Sequence, residues 1–276
     1  MLLSPYPTTG ERIRLGLLWL WCALVIVFLI VPIVVPVPLS LNSGSFFTFP
    51  LAGISTRWYE VVLGSDRWRA AIGNSLLIAF GTTLLATILG TLTAIGLASD
   101  KLPGRKLIMP LLISPLVVPV VITAVGAYLF YARLGLASTY TGIILAHTAL
   151  ASPFVVVTVS ASLTGFDRNL LRAASISGAK PLVSFFRVML PLILPGVLSG
   201  AAFAFVTSFD EVVVVQFLAS ANQRTLPLVM FTGLREQLSP AITAAATLMM
   251  MLSIALLIAA ELLRRHAHQR MKAAAA

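Results

Sequence analysis

Six apolar runs, each long enough to cross a lipid bilayer, leave this chain few ways to fold. They cover residues 15–35, 72–98, 107–131, 141–163, 192–218 and 242–263. A spanning helix needs about 20 predominantly apolar residues. Only short polar stretches separate the runs, so no large water-soluble domain can form between them. Hydrophobic residues make up 59% of the chain and charged residues 10%, against about 25% charged in a soluble domain. The predicted fold is all-α: a polytopic integral membrane protein of about six transmembrane helices, one domain over residues 1–276.

Glycine and proline recur inside the runs. Gly81, Gly90 and Gly96 lie in the second, and Pro110, Pro115 and Pro119 in the third. Membrane helices tolerate both, because neighbouring helices re-satisfy the backbone. Gly196, Gly200, Ala201 and Ala204 give the fifth run a small-residue face on which another helix can pack closely.

Charge orients the chain. Six spans put both termini on one side, and thirteen of the nineteen Lys and Arg residues fall there. Cytoplasmic loops carry the excess of Lys and Arg, so both termini are expected in the cytoplasm. The net charge of +10 is topological and needs no nucleic acid. Arg12 and Arg14 precede an apolar run as in a signal peptide. That run is too long, however, and ends in VPIVVPVP without a small-residue cleavage site. It reads as an uncleaved first span. Cys22 is the only cysteine, which excludes an intrachain disulfide. His147 stands alone in the fourth run and His266 and His268 lie in a basic tail. No HExxH or comparable spacing points to a metal.

The stretch 36–71 carries Phe46, Phe47, Phe49, Trp58, Tyr59 and Trp68. Trp and Tyr favour the membrane–water boundary. Two readings stand side by side: a helix near residues 55–63 lying on the bilayer, or a landing surface for an external partner. No phosphate loop is present, since Gly104-Arg105-Lys106 and Gly178-Ala179-Lys180 both lack the GxxxxGK(S/T) pattern. The chain is not a P-loop ATPase by itself.

Residues 165–195, GFDRNLLRAASISGAKPLVSFFRVMLPLILP, form a polar, basic island between apolar runs. Asp167 is placed to cap a short helix over residues 168–176. Gly178 suits the left-handed position past its end, and Pro181 the first turn of a second short helix. That helix carries Leu182, Val183, Phe186, Val188 and Met189, with Arg187 among them; Pro191 and Pro195 then begin the fifth span. The result is a helix-turn-helix projection whose apolar residues call for a partner to cover them.

Asp210 and Glu211 follow a long apolar stretch within a span predicted to run on to residue 218. Nineteen residues past Pro191 they lie about 28 Å along the helix, at 1.5 Å per residue. Acids at such depth are costly, and their default reading is functional. They can attract a cationic solute, or one can pair with a partner helix or cap a kink while the other sits at an interface. Neighbours on a helix point about 100° apart, so one of the pair, Asp210, is taken to face the path. Phe209 either gates that path or packs.

The order Arg172-Ala173-Ala174, Gly178, Leu190-Pro191 resembles the "EAA…G…LP" loop of binding-protein-dependent ABC transporter permeases. Five strings in the same order are most similar to the polyamine (spermidine/putrescine) permeases, and to the second of their two paired membrane subunits. These are STRWYEVVL (55–63), NSLLIA (74–79), PFVVVTV (153–159), LTGFDRNLLRAA (163–174) and SFDEVVVVQFL (208–218). One departure stands out: Arg172 replaces the family's glutamate and reverses the sign of that contact.

The resemblance implies a type I ABC importer permease (MetI-like) architecture in the bacterial inner membrane. It implies that residues 164–190 insert into a groove on a cytoplasmic ATPase, with Ala173, Ala174 and Gly178 at the contact and Arg172, Lys180 and Arg187 around it. It matches Asp210 and Glu211 to the acidic pair of the polyamine permeases' "S-x-D-D" segment. The implied partners are a second permease subunit, two ABC ATPase subunits, a periplasmic solute-binding protein and membrane lipid. No cofactor is expected in this chain, and ATP and Mg belong to the ATPase partners. Other readings remain: an importer of another small amine or amino-acid derivative (γ-aminobutyrate-like), an ATPase-independent carrier or channel, and a membrane scaffold.

Overall fold

The computed structural model of the chain describes residues 8–48, 50–99, 102–236 and 239–275, with side chains as far as residue 265. Phe49 and the side chains of His266 and His268, invoked above, lie outside the described residues.

The first apolar run forms α1 (Thr9–Val34), begun by a reciprocal cap: Glu11 N donates to Thr8 Oγ1 and Thr8 N to Glu11 Oε2. None of its residues is buried. α2 (Pro36–Ser40) extends it. After a loop closed by an antiparallel bridge between Asn42 and Ile54, α3 (Arg57–Gly64) forms where a helix near 55–63 is predicted. Its tryptophan does not face a bilayer surface. Trp58 is buried, donates Nε1–H to the Asn42 carbonyl at 2.8 Å, and packs with Val62 beside Ala241, Ala244 and Ala245. A buried indole needs a partner for its N–H, and Asn42 supplies it.

α4 (Asp66–Ala98) is one long span. The third run is not. α5 (Arg105–Ile113) and a 3₁₀ turn at Ser114–Leu116 meet α6 (Val120–Arg133) at 99°. The single span predicted over 107–131 is therefore a bent pair, and the break falls at Pro119, which supplies no N–H and is itself extended, at ψ 127°. Ser114, before Pro115, stays helical at φ −52° and ψ −34°, so Pro115 sits within the 3₁₀ turn.

α7 (Tyr140–Thr164) and α8 (Asn169–Ile176) follow. Next come α9 (Pro181–Ser184), a π-helical turn (Phe185–Met189) and α10 (Leu190–Phe209). These last three are one unbroken helical run of 29 residues, Pro181–Phe209. The second short helix predicted for the island is thus the head of the fifth span. The π-turn keeps the backbone bonded where an independent helix would have ended.

α11 (Val213–Leu218), α12 (Leu226–Glu236) and α13 (Ala241–Ala275) complete the chain. Among the described residues five helices are long and apolar enough to cross a membrane, or six with the bent pair counted as one.

α4, α7 and α10 pack mutually at the centre of the bundle. Lipid tails are as apolar as leucine, so burial alone does not drive helices together in a bilayer; close fit does. A Cβ added at Gly90 would meet Val155 Cβ at 2.7 Å, and one at Gly200 would meet Thr158 Oγ1 at 2.6 Å. The small face predicted for the fifth run is the one that meets α7, with Gly196, Gly200 and Ala204 buried.

Candidate functional site

The island between α7 and α10 folds as a projection closed by its own backbone. Asp167 Oδ1 accepts from Asn169 N at 2.9 Å, so α8 starts one residue later than its predicted start. The Arg168 guanidinium donates to the Ala98 carbonyl at the end of α4, where helix carbonyls lack intrahelical partners. At the other end of α8, Gly178 adopts φ +80°. Gly178 N donates to the Ser175 carbonyl and Ala179 N to the Ala174 carbonyl, each at 3.0 Å. These two bonds make a Schellman closure, which requires left-handed backbone at the glycine. The Ala173 carbonyl accepts from both Ser177 N and Ser177 Oγ at 3.0 Å.

No residue of α8 is buried. Arg172, Lys180 and Arg187 are exposed; Arg172 Nη1 reaches Asn169 Oδ1 at 3.4 Å, and the Lys180 carbonyl accepts from Ser184 N at 3.0 Å. Ile176 is 88% exposed, Leu182 72% and Phe186 60%.

The second candidate site lies at the far end of α10. The helix does not run on to residue 218. It ends at Phe209, and Asp210 and Glu211 sit in a short break before α11. The reason is in the hydrogen bonds. Glu211 Oε1 accepts from Val213 N at 3.1 Å and Val214 N at 3.2 Å, so its carboxylate caps the new helix and satisfies donors the break exposes. Asp210 N completes the last turn of α10 by donating to the Val206 carbonyl at 3.1 Å. Asp210 is exposed and Glu211 half-buried. The two carboxylates are therefore separated by a turn and a cap, not by 100° of helix. Phe209 is buried and stacks on Phe205 at 5.3 Å, with Ala79 in the same cluster.

Three polar residues to which the sequence assigns no individual role hold this end in place. Asn74, about two turns into α4, donates Nδ2–H to the carbonyls of Asn222 (2.8 Å) and Arg224 (3.0 Å), while Tyr140 OH donates to its Oδ1 (2.8 Å). Ser75 Oγ accepts from Leu226 N at 2.7 Å. His147 Nδ1 lies 2.8 Å from Ser208 Oγ. In the sequence Asn74 and Ser75 open NSLLIA, one of the strings that carries the resemblance, with no partner indicated, and His147 stands as an isolated histidine. Their partners are far away in the chain.

Residues 86–273 match the family described as "Binding-protein-dependent transport system inner membrane component". The chain is 34% identical over 213 residues to the spermidine/putrescine transport system permease protein PotC of Haemophilus influenzae, covering 77% of this chain and 83% of that one. It is 36% identical over 218 residues to the putrescine transport system permease protein PotI of Escherichia coli K12, covering 76% and 77%. A bacterial ABC transporter involved in the import of the acidic polysaccharide alginate matches over 95% of this chain and 99% of the solved one, with a TM-score of 0.73. The MetNI methionine ABC transporter matches over 71% and 94%, with a TM-score of 0.57. At 16% and 18% identity these two likenesses speak to the fold alone.

Proposed function

The chain belongs to the family of binding-protein-dependent transport system inner membrane components, and from that premise we propose that it is one of two paired permease subunits of an ATP-driven importer. The solute proposed is a polyamine such as putrescine or spermidine, the solutes that the permease relatives are named for.

The observation that carries the importer reading is the exposed projection at Gly178. Ile176 is held out beside the closed turn, and Leu182 and Phe186 on the head of the helical run that follows it. Apolar side chains presented in this way fit a protein partner, and an ABC ATPase is the partner the family supplies. Residues 164–190 are then the coupling segment, with Ala173, Ala174 and Gly178 at the contact. Arg172, Lys180 and Arg187 give the contact a basic rim, so the surface that receives it carries the opposite sign. α1, with no buried residue, suits a helix that packs on the second permease. The positive-inside bias puts the projection and both termini in the cytoplasm, with ATP and Mg on the ATPase pair and a periplasmic binding protein delivering solute opposite.

Asp210 supplies the charge on the solute path. Glu211 is committed to capping α11, while the Asp210 carboxylate is exposed at the break. A hydrogen bond from an ammonium to a carboxylate is worth about 1.5–3 kcal/mol net of the water each gives up. ATP binding closes the ATPase pair, the projections move with it, and the spans alternate between inward-open and outward-open states.

The test is ATP-driven putrescine uptake into vesicles holding the whole assembly, supplied with the binding protein. Asp210→Asn should lower uptake at limiting solute by about ten-fold or more while the subunits still co-purify. Undiminished uptake would remove Asp210 from the path. Uptake by the permease pair without the ATPase would replace the importer reading with an energy-independent carrier.

A further inference from the structure

The hydrogen bond between His147 and Ser208 has a task that packing does not explain. His147 is 1% exposed and Ser208 4%, and their atoms lie 2.8 Å apart across the α7–α10 interface. Along α7, Ile143, Ala146, Leu150 and Ala151 are buried as well. His147 Nε2 has no hydrogen-bond partner among the described residues. A buried polar atom left unpaired costs free energy that an apolar side chain of similar volume would avoid. Stability alone therefore does not account for a histidine at this place.

The remainder of the interface explains what is needed. Midway along α10 packing fixes how the two helices mesh: a Cβ at Gly196 would meet Ser162 Oγ, and one at Gly200 would meet Thr158 Oγ1 at 2.6 Å and Val155 Cα at 2.9 Å. Both notches lie about two turns or more before Ser208. At the end of α10 the buried polar pair adds a directional constraint of its own, because turning or sliding the last turn away from α7 breaks the bond and leaves two groups unpaired. Ser208 is on the last turn of α10, two residues before Asp210.

We propose that His147 is a positioning residue. Through Ser208 it sets the register of the end of α10, and so the point at which Asp210 and Glu211 leave the helix. Its consequence for transport rests on the permease reading above; its consequence for geometry does not.

The test reads geometry directly. Cys22, exposed on α1, is first removed by Cys22→Ala, and Asp210→Cys is introduced as a reporter in the full assembly. A membrane-impermeant cationic thiol reagent then reports how accessible the break is. His147→Leu and Ser208→Ala should each change the labelling rate by about five-fold, the equilibrium worth of one buried hydrogen bond. The double variant should go no further than either single one. His147→Asn, whose amide reaches the place of Nδ1, should restore the parent rate, and His147→Gln should not.

Parent-like labelling in both single variants, or effects that multiply in the double, would overturn the proposal. Should His147→Leu fail to assemble, Ser208→Ala, a change of one atom, decides alone. Putrescine uptake with Asp210 retained reports separately. An assembly that shows the expected labelling pattern but no ATP-driven uptake sinks the permease reading and leaves this one standing.

Discussion

The helical run Pro181–Phe209 is interrupted at both ends, and the two interruptions are built in opposite ways. At the head, the turn at Gly178 is closed by bonds to residues three to five positions away, and no residue of α8 is buried. Arg168, reaching the Ala98 carbonyl, joins the projection to another element at its root. At the tail, α11 buries Val214, Val215 and Leu218. The Leu218 carbonyl accepts from Ser138 N at 2.9 Å, and the following loop is clasped by Asn74, Ser75 and Tyr140. A segment whose bonds are internal can move as a rigid body. A segment bonded to α4 and α7 moves only when they do. On the coupling role proposed above, force enters at the projection without deforming its turn, while the break keeps its shape relative to the central helices.

That contrast can be broken most severely at Asn74. Asn74→Ala removes two donors and one acceptor from the clasp, and should cost the chain about 2 kcal/mol of stability, read as a lower temperature of thermal aggregation in detergent. A smaller loss is expected from Glu211→Ala. The cap on α11 disappears, at about 1 kcal/mol, and the labelling of a reporter in the break should rise. If either change leaves stability untouched, the tail is not clamped as described.

Gly178→Val turns to the other end. A left-handed backbone costs a non-glycine residue about 1–2 kcal/mol, yet a Cβ at Gly178 meets nothing within 4 Å. The strain is local, and it can be relieved by opening the turn without disturbing the bundle. Thermal stability should fall by less than in Asn74→Ala, while ATP hydrolysis by the assembly loses its link to uptake. A variant that stayed fully coupled would argue that the turn's shape is not what the ATPase recognises.

The projection was legible in the sequence because its signals are local. Gly178 past a helix and Pro181 at the start of the next turn each state a backbone conformation by themselves. What the sequence hid is that α9 does not stop. Nothing in Phe185-Phe186-Arg187-Val188-Met189 marks a π-turn. The break at Asp210 was masked by hydropathy, which continues across it through Val212–Val215; the available signal was that one of the two acids could cap a kink, and nothing local said that it was Glu211. Pro115 and Pro119 did announce the bend in the third run, but membrane helices tolerate prolines often enough that spacing alone does not separate a kink from a break. Trp58 reads as interfacial by composition and is buried because Asn42, sixteen residues away, takes its N–H. The clasp joins Asn74 to Asn222 across 148 residues, a pairing that no local pattern encodes.

The smallest effect on stability is the sharpest test of the comparison. Ile176 is the most exposed large apolar side chain of the projection, at 88%, and is the last residue of α8, two positions before Gly178. Ile176→Ser alters a side chain that packs little within the chain, and surface substitutions of this kind stay within about 0.5 kcal/mol. The chain's thermal stability should therefore be that of the parent. The ATPase interface should not be. Leaving a branched aliphatic side chain out of a protein contact forfeits about 1.5–3 kcal/mol of burial, so dissociation of the ATPase from the purified assembly should quicken by about ten-fold or more. A variant both as stable and as firmly bound as the parent would mean that Ile176 faces solvent in the complex too. The docking face would then have to be sought on the Leu182 and Phe186 side of the turn.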